Sequence, residues 1–263
     1  MLCVLYFSSM ERPIEAKRKS VAAFDVDGSL YRGNLALDLT TQLVRDGIFP
    51  ARFQDEYHGG YEHWKANRHH DSYQQFVREY VNAFVQHIAG VKAEDVEKTA
   101  AAVIAQSQGL EYVYTRNLIQ SLKDTHTLVA ISGSPVEIVT PFVNKLGIDH
   151  VHATTMETEN GIYTGQVEQI GTYRKDQSLL NLVIALDLSL NGSVAVGDTD
   201  SDIPLLEMVD IPIAFNPSKK LFQHALDKKW KIIYERKDMI LEVGSTGTFS
   251  EVNGFGHYRE SGL

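Results

Sequence analysis

Short unbroken apolar runs that stop abruptly at acidic or small polar residues recur along the chain. Val21-Ala22-Ala23-Phe24 stops at Asp25-Val26-Asp27-Gly28-Ser29, and Thr127-Leu128-Val129-Ala130-Ile131 stops at Ser132-Gly133-Ser134. Val194-Ala195-Val196-Gly197 leads into Asp198-Thr199-Asp200-Ser201-Asp202. Runs of this length without polar alternation mark strands buried on both faces. After Ser134 the period changes to that of a helix, through Val136, Val139, Phe142, Val143 and Leu146, with Pro135 opening it and Gly147 closing it. Ile211–Phe215 and residues 230–234 read as further strands, with a helical stretch over Lys219–Lys228 between them. Strands alternating with helices predict an α/β fold, a Rossmann-like and largely parallel sheet covered by helices on both sides.

Two segments break the alternation. Residues 35–122 read as helical almost throughout, and Tyr73, Phe76, Val77, Tyr80, Val81, Phe84, Val85 and Ile88 form one apolar stripe at helical spacing. Because the block falls between the first two strands, it predicts a helical cap domain inserted after the first strand. In 151–169, Asn160-Gly161 separates two alternating stretches and predicts a hairpin. The expected organisation is a flexible lead over 1–19, a core over 20–34 and 123–243, a cap over 35–122, and a flexible, Gly- and Ser-rich tail over 244–263.

Composition narrows the classes. With 263 residues, 43% of them hydrophobic and 22% charged, the chain can bury a sizeable core. The balance of 34 acidic against 25 basic residues gives −9, which argues against nucleic-acid binding, since that requires a basic face. Cys3 is the single cysteine, so neither an internal disulfide nor a cysteine-rich zinc motif is available. No apolar run nears the ~20 residues of a membrane span, and residues 2–7 are too short for a secretory segment. The expectation is a cytoplasmic protein with no membrane partner, in which the sequon at Asn191-Gly192-Ser193 is only a turn before a strand.

The chemistry sits at the strand ends. In an open parallel sheet the carboxyl ends of neighbouring strands converge on one crevice, so Asp25, Asp27, Ser132 and the 198–202 cluster can meet there. Two like charges ~4 Å apart repel by about 4 kcal/mol at an effective dielectric of 20, so the aspartates need a cation. Hard carboxylate oxygens without His or Cys point to Mg²⁺, held by Asp25 and Asp198, with Lys175 as a candidate internal cation. Asp25 is then suited to take a phosphoryl group as a carboxylate nucleophile, and Asp27 to act as general acid and base. Ser132 and the amides of the following helix supply donors for phosphate oxygens, and Gly28 and Gly133 permit the tight turns.

Asp25-x-Asp27-Gly28-Ser29, Ser132, Lys175 and Gly197-Asp198-x-x-x-Asp202, in that order, resemble the four motifs of the haloacid dehalogenase-like hydrolases. The helical insertion resembles the cap of their phosphoserine-phosphatase-like branch, and the likeness covers roughly 20–235. The resemblance implies that Asp25 is nucleophile and metal ligand, and that Asp27 is acid/base and a metal ligand through its main-chain carbonyl. It also implies that Ser132, Gly133 and Lys175 hold the phosphoryl group, that Asp198 ligates Mg²⁺, and that Asp202 supports the metal shell and the lysine. Gly28 replaces a Ser common in phosphoserine phosphatases, and Asn34 replaces a Glu that contacts the substrate amino group. What is implied is therefore a Mg²⁺-dependent phosphatase of a small phosphorylated metabolite, without phosphoserine itself being implied.

Rival readings are a phosphotransferase or phosphomutase of the same superfamily, and a phospho-aspartate switch protein. Asp200 reads as solvated or as a helix cap. His58, His63, His69, His70 and His87 read as surface or satisfied histidines, and the stripe from Tyr73 to Phe84 as cap core. Gly254-Phe255-Gly256 reads as tail, and Arg32 has no assigned role.

Overall fold

The computed structural model describes residues 18–67, 70–169, 174–244 and 248–252. It begins with β1 (Ser20–Phe24), followed by five helices: α1 (Leu35–Arg45), α2 (Asp55–Asn67), α3 (His70–Ile88), α4 (Ala93–Gln106) and α5 (Val113–Leu122). Next come β2 (His126–Pro135), α6 (Val136–Leu146), β3 (His150–Glu159), β4 (Ile162–Gln169), α7 (Lys175–Ala185) and β5 (Ser189–Gly197). The chain continues through α8 (Ile203–Leu206), β6 (Ile211–Phe215), α9 (Lys219–Lys228), β7 (Lys231–Arg236), β8 (Met239–Val243) and β9 (Phe249–Glu251).

The strands form one sheet in the order β4-β3-β2-β1-β5-β6-β7-β8-β9. Its centre, from β3 to β7, is parallel, and antiparallel strands close both edges. Successive residues of a strand point to opposite faces. Ala22, Phe24, Leu128, Ala130, Val194 and Val196 therefore join one core, and Val21, Ala23, Val129, Ile131 and Ala195 the other. The second face is covered by Leu179 of α7, Leu205 and Leu206 of α8, and Leu221 and Ala225 of α9. The first is covered by α6 and by the insertion, through Leu35, Leu39 and Leu43 of α1 and Val96, Ala100 and Ile104 of α4. Buried side chains of the insertion and of this face form one continuous cluster that reaches Phe76 and Phe84 of α3.

β3 and β4 are joined at Asn160 (φ 51°) and Gly161 (φ 75°), two successive positive φ values that turn the chain back in the hand matching strand twist. Some elements differ from expectation. Within the segment expected to be a flexible tail, Phe249–Glu251 pairs with β8 and extends the sheet. Asn191-Gly192-Ser193 lies inside β5 instead of before it. Pairing jumps there from Ser20–Ser189 to Ala22–Val194, and the extra residues bulge. The lead up to residue 17, His69 and Gly254-Phe255-Gly256 lie outside the described residues. Among the described residues no helix is long and apolar enough to cross a membrane.

Candidate active site

β1, β2 and β5 are neighbours, so their carboxyl ends bring Asp25, Ser132 and Asp198 to one rim. The Asp25 N–H donates to Val196 O at 2.9 Å, which ties the end of β1 to the end of β5. Lys175 reaches the same point from the first residue of α7 and is 2% exposed. Its Nζ donates to Asp25 Oδ1 at 2.6 Å and to Asp202 Oδ1 at 2.5 Å. The other Asp202 oxygen accepts the N–H groups of Asp198 and Thr199 at 3.1 and 2.9 Å, which fixes the turn after β5. Asp198 rests its carboxylate where a side chain on residue 28 would stand, so Gly28, at φ +90°, leaves the space that brings the two loops together.

Asp27 is held from two other elements. Its Oδ1 accepts the Leu35 N–H of α1 at 2.6 Å, and its Oδ2 accepts Ser134 Oγ at 2.6 Å and Ser132 Oγ at 3.4 Å. Ser132 Oγ in turn accepts the Ser134 N–H at 3.1 Å. Asp25, Asp27, Ser132, Lys175, Asp198 and Asp202, drawn from four stretches of sequence, thus share one cluster, and Gly133 lines the cavity above it.

The family model of the haloacid dehalogenase-like hydrolases matches residues 22–207, a span that contains every residue of this cluster. The chain belongs to that family. It is 26% identical over 234 residues to an inhibition of morphological differentiation protein of Streptomyces azureus, covering 82% of this chain and 78% of that protein. It is 30% identical over 121 residues to phosphoserine phosphatase SerB1 of Mycobacterium tuberculosis, where the match covers 45% of this chain and only 39% of the relative. A solved phospho-aspartyl intermediate analogue of phosphoserine phosphatase superposes with a TM-score of 0.55 at 23% identity, over 84% of this chain and 96% of that one. That last likeness shows a shared fold.

Within this hydrolase the electrostatics follow from burial. Desolvation raises the Asp25 carboxyl to about 7, opposed by Lys175 and reinforced by Asp202. Asp198 is held well above the carboxylate range by desolvation and by Asp25 and Asp202, and Asp27 is raised by desolvation against its hydroxyl and amide donors. Burial on its own would lower the Lys175 ammonium, but Asp202 and Asp25 outweigh it and hold it above the ordinary lysine range. One lysine does not balance this many carboxylates. Oxygens of Asp25, Asp198 and Asp202 lie within 4.8 Å of one another, and Asp25 Oδ2 is buried with no hydrogen-bond partner. Asp202 already accepts on both oxygens, so Asp25 and Asp198 are the carboxylates with room for a divalent cation.

A cavity of about 220 Å³ opens from this floor between α3 and the β3–β4 hairpin. The stripe expected to be cap core also forms its wall. Phe76 and Phe84 are buried, yet they line the cavity together with Tyr73 and Tyr80. Ser134 is the site residue that sequence reasoning missed. Asn34 accepts the Leu37 N–H at 2.9 Å as the cap of α1 while lining the cavity. Arg32 pairs with buried Glu235 and lies 4.4 Å from the Tyr112 ring centre. Asp200 turns to Lys220 at 3.4 Å, and His87 to Glu56 at 2.8 Å.

Proposed function

We propose that the protein is a Mg²⁺-dependent phosphomonoesterase that acts on a small phosphorylated molecule through an aspartyl-phosphate on Asp25. The observation that carries this reading is the pair formed by the two early aspartates. Asp25 is clamped by Lys175 through one oxygen and left with a buried, unpartnered second oxygen. Asp27, two residues on, has its carboxyl fixed by Ser134 and the start of α1. Bound by Asp25, Asp198 and the main-chain carbonyl of Asp27, Mg²⁺ would neutralise phosphoryl charge. Ser132, Gly133 and Lys175 orient the phosphoryl group.

In the first step a carboxylate oxygen of Asp25 attacks phosphorus, the ester P–O bond breaks, and Asp27 gives its proton to the leaving oxygen. The raised position of the Asp27 carboxyl favours the protonated form that this step needs. In the second step Asp27 takes a proton from water, the water oxygen attacks phosphorus, and the bond to Asp25 breaks to release inorganic phosphate. α3, as the wall opposite the hairpin, would limit the access of bulk water to the floor. Phosphate release from phenyl phosphate tests the reading. Activity is expected with Mg²⁺, lost with chelator, and at least about 10³-fold lower in Asp25→Asn. Full activity in that variant would remove the nucleophile assignment.

A further inference from the structure

We propose that the alcohol half of the substrate is uncharged and apolar, an alkyl or aryl group lodged between α3 and the β3–β4 hairpin above the carboxylate floor. This inference deepens the phosphatase reading and rests on it. One wall of the cavity is the face of α3 that carries Tyr73, Val77, Val81 and Phe84, and Met156 and Val167 stand on the hairpin side. Spacings of three and four residues stack the α3 side chains on one face of the helix. Val81 and Val167 are 44% and 36% exposed, so large apolar side chains stay wet on both walls of the cavity. An apolar ligand group between them would take that surface out of water. Tyr80 presents its ring to the cavity, because its hydroxyl already donates to Ala36 O at 2.8 Å.

Charge argues the same way. Among the described residues lining the cavity, the charged groups are Asp25, Asp27, Asp198 and Lys175, all of them at the floor. Lys175 is committed to Asp25 and Asp202. Among the described residues, a carboxylate on the substrate's organic half would therefore find no cation along the wall, and an ammonium no acid. Burying either one unpaired against apolar side chains is strongly unfavourable. Amino-acid phosphates are selected against, and monoesters of apolar alcohols are selected for.

The test separates binding from turnover. Straight-chain alkylphosphonates from ethyl to hexyl are titrated calorimetrically into the full chain with Mg²⁺, and phosphate release from phenyl phosphate is assayed on the same sample. Affinity is expected to rise about fourfold per methylene until the cavity is filled. The phosphonate analogue of phosphoserine is expected to bind at least tenfold more weakly than the hexyl compound. A flat series, or tighter binding of the phosphoserine analogue, overturns the inference, and does so without touching the phosphatase reading if phenyl phosphate is still hydrolysed. A steep series with no phosphate release from any ester sinks the phosphatase reading and leaves the apolar preference standing. Val81→Asp, a change at a position 44% exposed, is expected to flatten the series; an unchanged slope in a variant with the circular-dichroism spectrum of the parent would remove α3 as the wall.

Discussion

Both carboxylate oxygens of Asp27 are taken, one by the first turn of α1 and the other by two serine hydroxyls. In the proposed mechanism, these contacts keep the Asp27 carboxyl aimed at its proton acceptor. Ser134→Ala removes the shorter hydroxyl contact, and kcat is expected to fall roughly tenfold to a hundredfold, with stability down by only about 1–2 kcal/mol. Steady-state kinetics alongside denaturant melts check this; an unchanged kcat would free Ser134 from any positioning role. Asp25, Asp27, Ser132, Lys175, Asp198 and Asp202 were legible in the sequence because each follows an apolar strand or belongs to a spaced motif. Ser134 was not, because its partner, Asp27, lies 107 positions away and its second contact, the Ala36 N–H, comes from α1. Nor does helical periodicity distinguish a side chain facing a core from one facing a cavity, and so the double use of the Tyr73–Phe84 stripe stayed hidden.

At the scale of elements, the joint between α5, β7 and the loop after β1 is built on Glu235. Its buried carboxylate accepts the Val113 and Tyr114 N–H groups at 3.0 and 2.8 Å, capping α5, and pairs with Arg32. Glu235→Ala leaves those donors and the guanidinium without it, and should cost about 3 kcal/mol in urea unfolding. A loss under about 0.5 kcal/mol would show the joint to be ornamental. On the other side of the sheet His152 of β3 is hydrogen-bonded with Ser178 Oγ of α7 at 2.9 Å, and burial lowers its imidazole below the ordinary histidine value. Below about pH 6.5 the unfolded chain binds a proton that the folded one resists, so this group makes stability fall as pH drops. His152→Gln should flatten that decline in Tm between pH 7 and 5, and an identical slope in both proteins would contradict it. β1, β2, β6, α6, α9 and the hairpin were legible from runs, end signals and Asn160-Gly161. α7 was not recognised as a helix and β9 was read as tail, since three exposed residues pairing with β8 carry no hydrophobic pattern of their own.

For the molecule as a whole, the insertion is topologically separate but shares its core with one face of the sheet. Unfolding is therefore expected to be one transition. Trp64→Phe leaves Trp230 of the sheet side as the tryptophan reporter and Trp230→Phe leaves Trp64 of α2, and the two urea midpoints should coincide with each other and with circular dichroism. Separate midpoints would mean that the insertion melts alone. That shared core holds α3 over the floor where the strand ends gather Asp25, Asp27 and Asp198, and the proposed phosphoryl transfer takes place on that floor. Its most direct test is acid quenching during turnover of a ³²P-labelled phosphomonoester with Mg²⁺ present, followed by mass-spectrometric mapping of the labelled peptide. Acid-stable, alkali-labile label is expected on the peptide containing Asp25 and none in Asp25→Asn; label on another residue, or turnover that never labels the protein, would rule out Asp25 as the nucleophile.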